Sequence, residues 1–225
     1  MLEAIIFDMD GVLIDSESTH YPVLRELLAK YGYVYTQEHF LTYCGVPETD
    51  MWPQLLRTAG LNVSPEAMHQ EHWRRYRRYL EIHGLPHFPG TAQLLSALRQ
   101  SGYRLAVASA SPARTIAEYM EQLGYAPYFD CMISAQHCAH GKPEPDVFLL
   151  AAEQLGISPE NCLVVEDSKN GMLAAQRAGM KWVGFCGAAL PTDMSLAPFT
   201  FSDYRAVTPK DFERWYNLLS KIKSD

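Results

Sequence analysis

The chain has 225 residues, of which 48% are hydrophobic and 20% charged, with a formal net charge of −7. That is ordinary globular composition, long enough to bury a sizeable core in one large domain or in a domain with an insert. An acidic total argues against broad attraction to nucleic acid or to an anionic membrane, so an anionic substrate has to be met by a local cation or a metal. Cys44, Cys131, Cys138, Cys162 and Cys186 are odd in number, dispersed and free of any CxxC spacing. They predict a reducing compartment without disulfides. The N-terminus runs straight into a strand-like segment, MLEAIIF, and no apolar stretch reaches membrane-spanning length. Cytoplasm is the expected location.

In chain order, Ala4 to Phe7 is an apolar run too short for a helix and predicts a buried parallel strand. From Glu17 to Tyr31 the period changes: Tyr21, Leu24, Leu27, Leu28 and Tyr31 recur at helical spacing, and Gly32 closes the helix. Helical pattern continues through Met51 to Thr58 and Pro65 to Leu80, the latter opened by Ser64 as N-cap with proline at the first helical position. With no strong strand signal between Ser16 and His87, residues 16–87 read as an all-helical insert, bounded by Gly84-Leu85-Pro86 and Pro89-Gly90. Beyond Gly90 the elements alternate. Helices are predicted over Thr91–Gln100, Ala113–Leu123, Pro145–Leu155 and Asn170–Ala178. Strands are predicted over Leu105–Ala108, Cys131–Ile133, Leu163–Val165 and Trp182–Phe185, and a packing helix over Pro209–Ile222. Such alternation predicts an α/β fold: a Rossmann-like, doubly wound parallel sheet, formed by residues 1–15 and 88–225, covered on both faces.

In such a sheet, ligands sit beyond the carboxyl ends of the strands. Three predicted strands end in unusual polar residues: Asp8-Met9-Asp10-Gly11, Ser109, and Glu166-Asp167-Ser168. Gly141-Lys142-Pro143 precedes a helix and can bring a lysine to the same mouth. Four carboxylates crowded together repel one another unless a cation sits among them. Oxygen-only ligands favour a hard metal, and few carboxylates with room for water and phosphate favour Mg²⁺. Lys142 and Ser109 add a point charge and a hydroxyl donor, which with a metal complement phosphate. A carboxylate attacking phosphorus gives an aspartyl-phosphate.

These segments together resemble the haloacid dehalogenase superfamily. FDMDGVLIDSE (7–17), VASAS (107–111), GKPEPD (141–146) and VVEDSKNG (164–171) look like its four motifs, in the family's order and across nearly the whole chain. The helical insert looks like the family's cap. The resemblance implies that Asp8 is the nucleophile and that Asp10 protonates the leaving oxygen, then activates water. It implies Mg²⁺ held by Asp8, the Asp10 carbonyl and Asp167, with Glu166 beside it. Ser109 and Lys142 would hold the transferring phosphoryl group. Gly11, His20, Gly45 and Ala110 would complete the substrate site, with His20 positioning Asp10 as the cap closes. An acid at position 10 favours phosphoester chemistry, where a leaving alkoxide needs a proton.

The nearest subgroup holds sugar phosphatases and β-phosphoglucomutase. The mutases carry a cap arginine just after a glycine; here Cys44-Gly45-Val46-Pro47 is followed by Glu48, which would repel phosphate. They also carry a lysine and an asparagine after the serine motif, where this chain has Pro112 and Ala113. Both departures favour a phosphatase acting on a small sugar or polyol phosphate; separately, a monomer is expected. Arg74, Arg75, Arg77 and Arg78 keep a mutase-type distal anion site as the alternative, and a non-catalytic binding protein on a phosphatase scaffold is a remoter one. Taken singly the features have plainer readings. Asp-Gly is a common turn pair, Glu166-Asp167-Ser168 can be a helix cap, His20 a packed histidine, and the arginine run a solvated face. Cys131, His137, Cys138 and His140 match no common zinc spacing.

Overall fold

The computed structural model describes every residue except 44–45, 47, 189–191 and 222–225, and all side chains of the rest except that of Glu17. The chain divides into two compact units, residues 1–15 with 87–225, and residues 16–86.

The first unit is a six-stranded, all-parallel sheet. Its strands are β1 (Ala4–Phe7), β2 (Arg104–Ser109), β3 (Cys131–Ser134), β4 (Cys162–Glu166), β5 (Lys181–Phe185) and the two-residue β6 (Thr200–Phe201). Their order is β3-β2-β1-β4-β5-β6, so the strand made first lies inside the sheet between β2 and β4. Registers Phe7↔Val107 and Phe7↔Val165 bring the carboxyl ends of the three strands level. Sequence periodicity missed β6, which is too short to carry a period.

Because successive strand residues face opposite ways, each strand feeds two cores. Ile5, Phe7, Leu105, Val107, Leu163 and Val165 pack in one, with Leu94, Leu95 and Leu98 of α5 (Thr91–Gln100), Ile116 and Met120 of α6 (Ala113–Gln122), and Phe212 and Trp215 of α9 (Pro209–Leu219). Ala4, Ile6, Ala106, Ala108 and Val164 pack in the other, against Val147, Phe148 and Ala151 of α7 (Asp146–Leu155) and Ala174 and Ala175 of α8 (Lys169–Arg177). The small alanines on the second face let α7 and α8 approach the sheet.

The second unit is helical: α1 (Ser16–Ala29), α2 (Gln37–Tyr43), α3 (Glu48–Ala59) and α4 (Pro65–His83). α4 starts as its sequence predicts, with Ser64 Oγ accepting the Ala67 N–H and Pro65 entering the first turn. α2 was not anticipated; at seven residues it is too short to show a convincing period. Leu24, Leu27, Leu28, Trp52, Leu55, Met68, His72 and Tyr76 are buried within this unit. Among the described residues no helix is long and apolar enough to cross a membrane.

Candidate active site

β1 delivers Asp8 to the mouth of the sheet, where its amide donates to the Val165 carbonyl at 3.0 Å. The chain then turns sharply: the Val12, Leu13 and Ile14 amides all donate to Met9 O. Gly11 takes φ +78°, and a Cβ there would lie 2.0 Å from Asp167 Oδ2. Glycine is therefore needed twice over, for the left-handed backbone and for the approach of a carboxylate. Tyr204, buried, ties the turn to the C-terminal segment by donating to Val12 O at 2.7 Å.

Lys142 enters from the segment before α7. Its ammonium donates to Asp8 Oδ1 at 2.5 Å, to Glu166 Oε1 at 2.7 Å and to the Ala108 carbonyl at 3.2 Å. It also lies 4.8 Å from the centre of the Phe148 ring. All three donor protons are used, and both carboxylates it meets are buried. Burial alone would lower the lysine's pKa; the charges of Asp8 and Glu166 outweigh it and hold the ammonium above its ordinary value.

Glu166 is 1% exposed, and its oxygens are shared out. Oε1 takes Lys142, while Oε2 accepts the Asp167 and Ser168 amides and the Ser168 hydroxyl, each at 2.9 Å. Ser168 Oγ in turn caps α8 by accepting the Gly171 N–H at 3.0 Å. A Cβ on Gly171 would fall 1.7 Å from Glu166 Oε1, so α8 can begin here only with glycine at that turn.

Asp8, Glu166 and Asp167 each offer a carboxylate oxygen, and these atoms lie within 4.8 Å of one another. Among the described residues they are the only group of three or more such donors close enough to share an ion. Lys142 offsets one of three negative charges. The remaining excess registers on Asp8, whose pKa burial pushes up to about 7; Lys142 opposes the rise, and Glu166 and Asp10 add to it. A crowded, all-oxygen set with uncompensated charge fits a hard divalent cation.

Asp10 stands apart from that trio. Its Oδ2 accepts the Ser111 hydroxyl at 2.8 Å and faces the Ser109 hydroxyl at 3.4 Å. Ser109 is fully buried at the end of β2. Thus Asp8, Asp10, Gly11, Ser109, Lys142, Glu166 and Asp167 assemble at one mouth, with Ala110 exposed beside Ser109. Sequence reading missed the roles of Ser111 and of the Ala108 carbonyl. The first was visible only as the second serine of VASAS; the second is a backbone atom with no sequence signal.

His20 belongs to the helical unit. It is half-buried, stacked on Tyr76 with centroids 4.1 Å apart and planes at 3°, and its Nδ1 lies 3.3 Å from His72 Nε2. Burial drives its pKa down to about 4. Gly45 lies outside the described residues. In the arginine run, Arg74 and Arg75 pair with Glu71 at 2.7 and 2.6 Å, Arg78 with Glu81 at 3.0 Å, and Arg77 Nε meets the Trp73 carbonyl at 3.4 Å. Cys131 faces the Ala151 carbonyl, and His140 pairs with Asp146 at 3.3 Å.

A doubly wound parallel sheet with this mouth is the architecture of an α/β enzyme. The haloacid dehalogenase-like hydrolase family model matches residues 5–185, and the chain belongs to that family. A phosphorylated carbohydrates phosphatase of Thermotoga maritima is 35% identical over 181 residues, 80% of this chain and 83% of that one. A beta-phosphoglucomutase of Bacillus subtilis is 27% identical over 190 residues, 81% of this chain and 83% of that one. Among solved structures, a HAD family hydrolase from Deinococcus radiodurans, with bound phosphate and sodium, has a TM-score of 0.81 at 25% identity, covering 96% of this chain and 97% of that one.

Proposed function

We propose that this enzyme is a Mg²⁺-dependent phosphomonoester hydrolase for small sugar or polyol phosphates, working through an aspartyl-phosphate on Asp8. The observation that carries the reading is the pairing of buried Asp8 with Lys142 and Glu166, beside Asp167 and two residues from Asp10. Lys142 keeps Asp8 oriented and supplies positive charge toward a phosphoryl group. Asp8 attacks phosphorus while protonated Asp10 gives its proton to the departing alkoxide. The Asp10 carboxylate then takes a proton from water, whose oxygen displaces Asp8 and releases phosphate. Asp8 and Asp167, with Glu166 near them and the Asp10 carbonyl, would hold Mg²⁺, which when bound neutralises charge on the phosphoryl oxygens. Ser109 and Ala110 border the phosphoryl position. Residues 16–86 serve as the cap that selects the substrate, with His20 and Gly45 on it. The dispersed cysteines support a reducing, cytoplasmic setting, and a monomer is the expected state.

Hydrolysis is favoured over the mutase reading by the chain's own departures. Pro112 and Ala113 follow the serine motif, Glu48 adds negative charge to the cap, and three of the four cap arginines are engaged by glutamates on their own helix. The likeness to the B. subtilis mutase makes isomerisation the second outcome to test. With Mg²⁺ and a sugar phosphate panel that includes β-glucose 1-phosphate plus a bisphosphate activator, free phosphate without isomer is expected. Isomer without free phosphate would reverse the assignment. Asp8→Asn should lower turnover by at least about 10⁴-fold, and full activity in that variant would remove the covalent step.

A further inference from the structure

We infer that Ser111 is a positioning residue for Asp10: it aims the carboxylate that exchanges protons with the leaving group and with water. The inference rests on the acid/base role proposed for Asp10 and adds the device that makes that role geometrically possible.

Asp10 sits on a turn, three residues beyond the end of β1, and its side chain is not part of the cluster formed by Asp8, Glu166 and Asp167. A carboxylate on a turn is free to rotate about two torsions unless something fixes it. Ser111 Oγ donates to Oδ2 at 2.8 Å, well inside the longer 3.4 Å approach of Ser109. Ser111 is itself anchored on both sides of its peptide unit. Its amide donates to Ser109 Oγ at 3.0 Å, and its carbonyl accepts the Ser134 hydroxyl at 2.7 Å. Ser109 and Ser134 are register partners at the ends of β2 and β3, and both are fully buried. The chain of contacts thus runs from two rigid strand ends, through one loop serine, to the carboxylate. Without the hydroxyl at position 111 the loop keeps its backbone anchors, but Asp10 Oδ2 loses the 2.8 Å hydrogen bond from Ser111. The effect should therefore fall on proton transfer and leave assembly of the site intact.

Leaving-group chemistry separates these possibilities. Displacing a sugar alkoxide needs a proton from Asp10; displacing p-nitrophenolate does not. Ser111→Ala, Ser111→Thr and Asp10→Asn would be compared on the panel sugar phosphate that the wild type uses best and on p-nitrophenyl phosphate. The pre-steady-state release of nitrophenol reports formation of the phospho-enzyme. For Ser111→Ala the expectation is a fall in kcat on the sugar phosphate of about 10- to 100-fold, with KM little changed. The nitrophenol burst should keep its wild-type rate, and Ser111→Thr should restore turnover. Wild-type kcat in Ser111→Ala overturns the inference, as does an equal loss in burst and turnover, which would mark a merely structural serine. If Asp10→Asn turns the sugar phosphate over at the wild-type rate, it is the acid/base role of Asp10 that fails. If Asp10→Asn is slow while Ser111→Ala is not, only the role of Ser111 fails.

Discussion

Both units of this protein bury polar clusters, and they do so by opposite means. In the sheet unit, Asp8 and Glu166 are buried around the Lys142 ammonium, which meets both within 2.7 Å and offsets part of their charge. In the helical unit, His20 and His72 lie against Trp73 and Tyr76, and burial keeps both rings neutral, with pKa values lowered to about 4 and about 3. His72 Nδ1 makes no hydrogen bond and stands 3.9 Å from Glu48 Oε1. Glu48 instead accepts Trp73 Nε1 at 3.1 Å and meets His69 at 3.1 Å. Thr19 Oγ1 donates to Ser16 O and lies 3.2 Å from the Tyr76 hydroxyl. A charged cluster of fixed geometry suits bond making; a neutral aromatic cluster suits packing around a ligand that the chain does not itself react with. The two clusters should fail under different stresses.

The largest effect is expected from cutting the charged cluster at its cation. Lys142→Met strands Asp8 and Glu166 in a buried site, and should cost about 3–5 kcal/mol of unfolding free energy. Urea titration without divalent ions would measure it, and a loss below about 1 kcal/mol would mean that water reaches the site. Added Mg²⁺ should recover part of the loss by occupying the crowded carboxylates.

Acid is the stress for the other cluster. A histidine whose folded pKa lies below 6.5 contributes no penalty above that value. As pH falls below 6.5 the unfolded chain takes up the proton first, and stability declines until the folded pKa is reached. Between pH 7 and pH 5 the helical unit should lose about 2 kcal/mol for each of His20 and His72. Amide exchange in α1 and α4 should therefore speed up on acidification more than exchange in β1 and β4. Equal acceleration in both units would break the contrast between them.

Gly171→Ala sharpens the comparison from the packing side. Its new methyl meets the Glu166 carboxylate, which cannot move without releasing Lys142 and the two loop amides. A loss of about 1–3 kcal/mol is expected, readable as a lower Tm together with reduced turnover. At the small end, Arg74→Ala removes a solvent-exposed pair with Glu71 and should leave the Tm indistinguishable from that of the wild type. A drop in turnover in that variant would instead revive the distal anion site.

The parallel sheet and its polar strand ends were legible because parallel strands are short apolar runs with a fixed grammar of glycine and polar termini; the order of the strands came only from the structure. Asp8, Lys142 and Glu166 could be nominated because each follows such a run or opens a helix. What could not be read was how the polar atoms are shared. That Glu166 Oε2 is consumed by its own loop, that Ser134 locks Ser111, and that Lys142 spends a proton on Ala108 are facts of tertiary approach. The helical unit was legible only as helices. α2 was too short to announce itself, and the pairing of His20 with His72 joins residues 52 apart on two helices, with no spacing rule to suggest it.

The position of β1 between β2 and β4 has a consequence for how the enzyme comes into being. Asp8 and Asp167 stand 159 positions apart in the chain, and a ribosome makes Asp167 only after β4. At ordinary elongation rates the interval is on the order of ten seconds. Throughout it the nascent chain carries Asp8 without Glu166 and Asp167, and for most of it without Lys142. With the roles proposed for these residues, the site is complete only once the last central strand, β4, has been made.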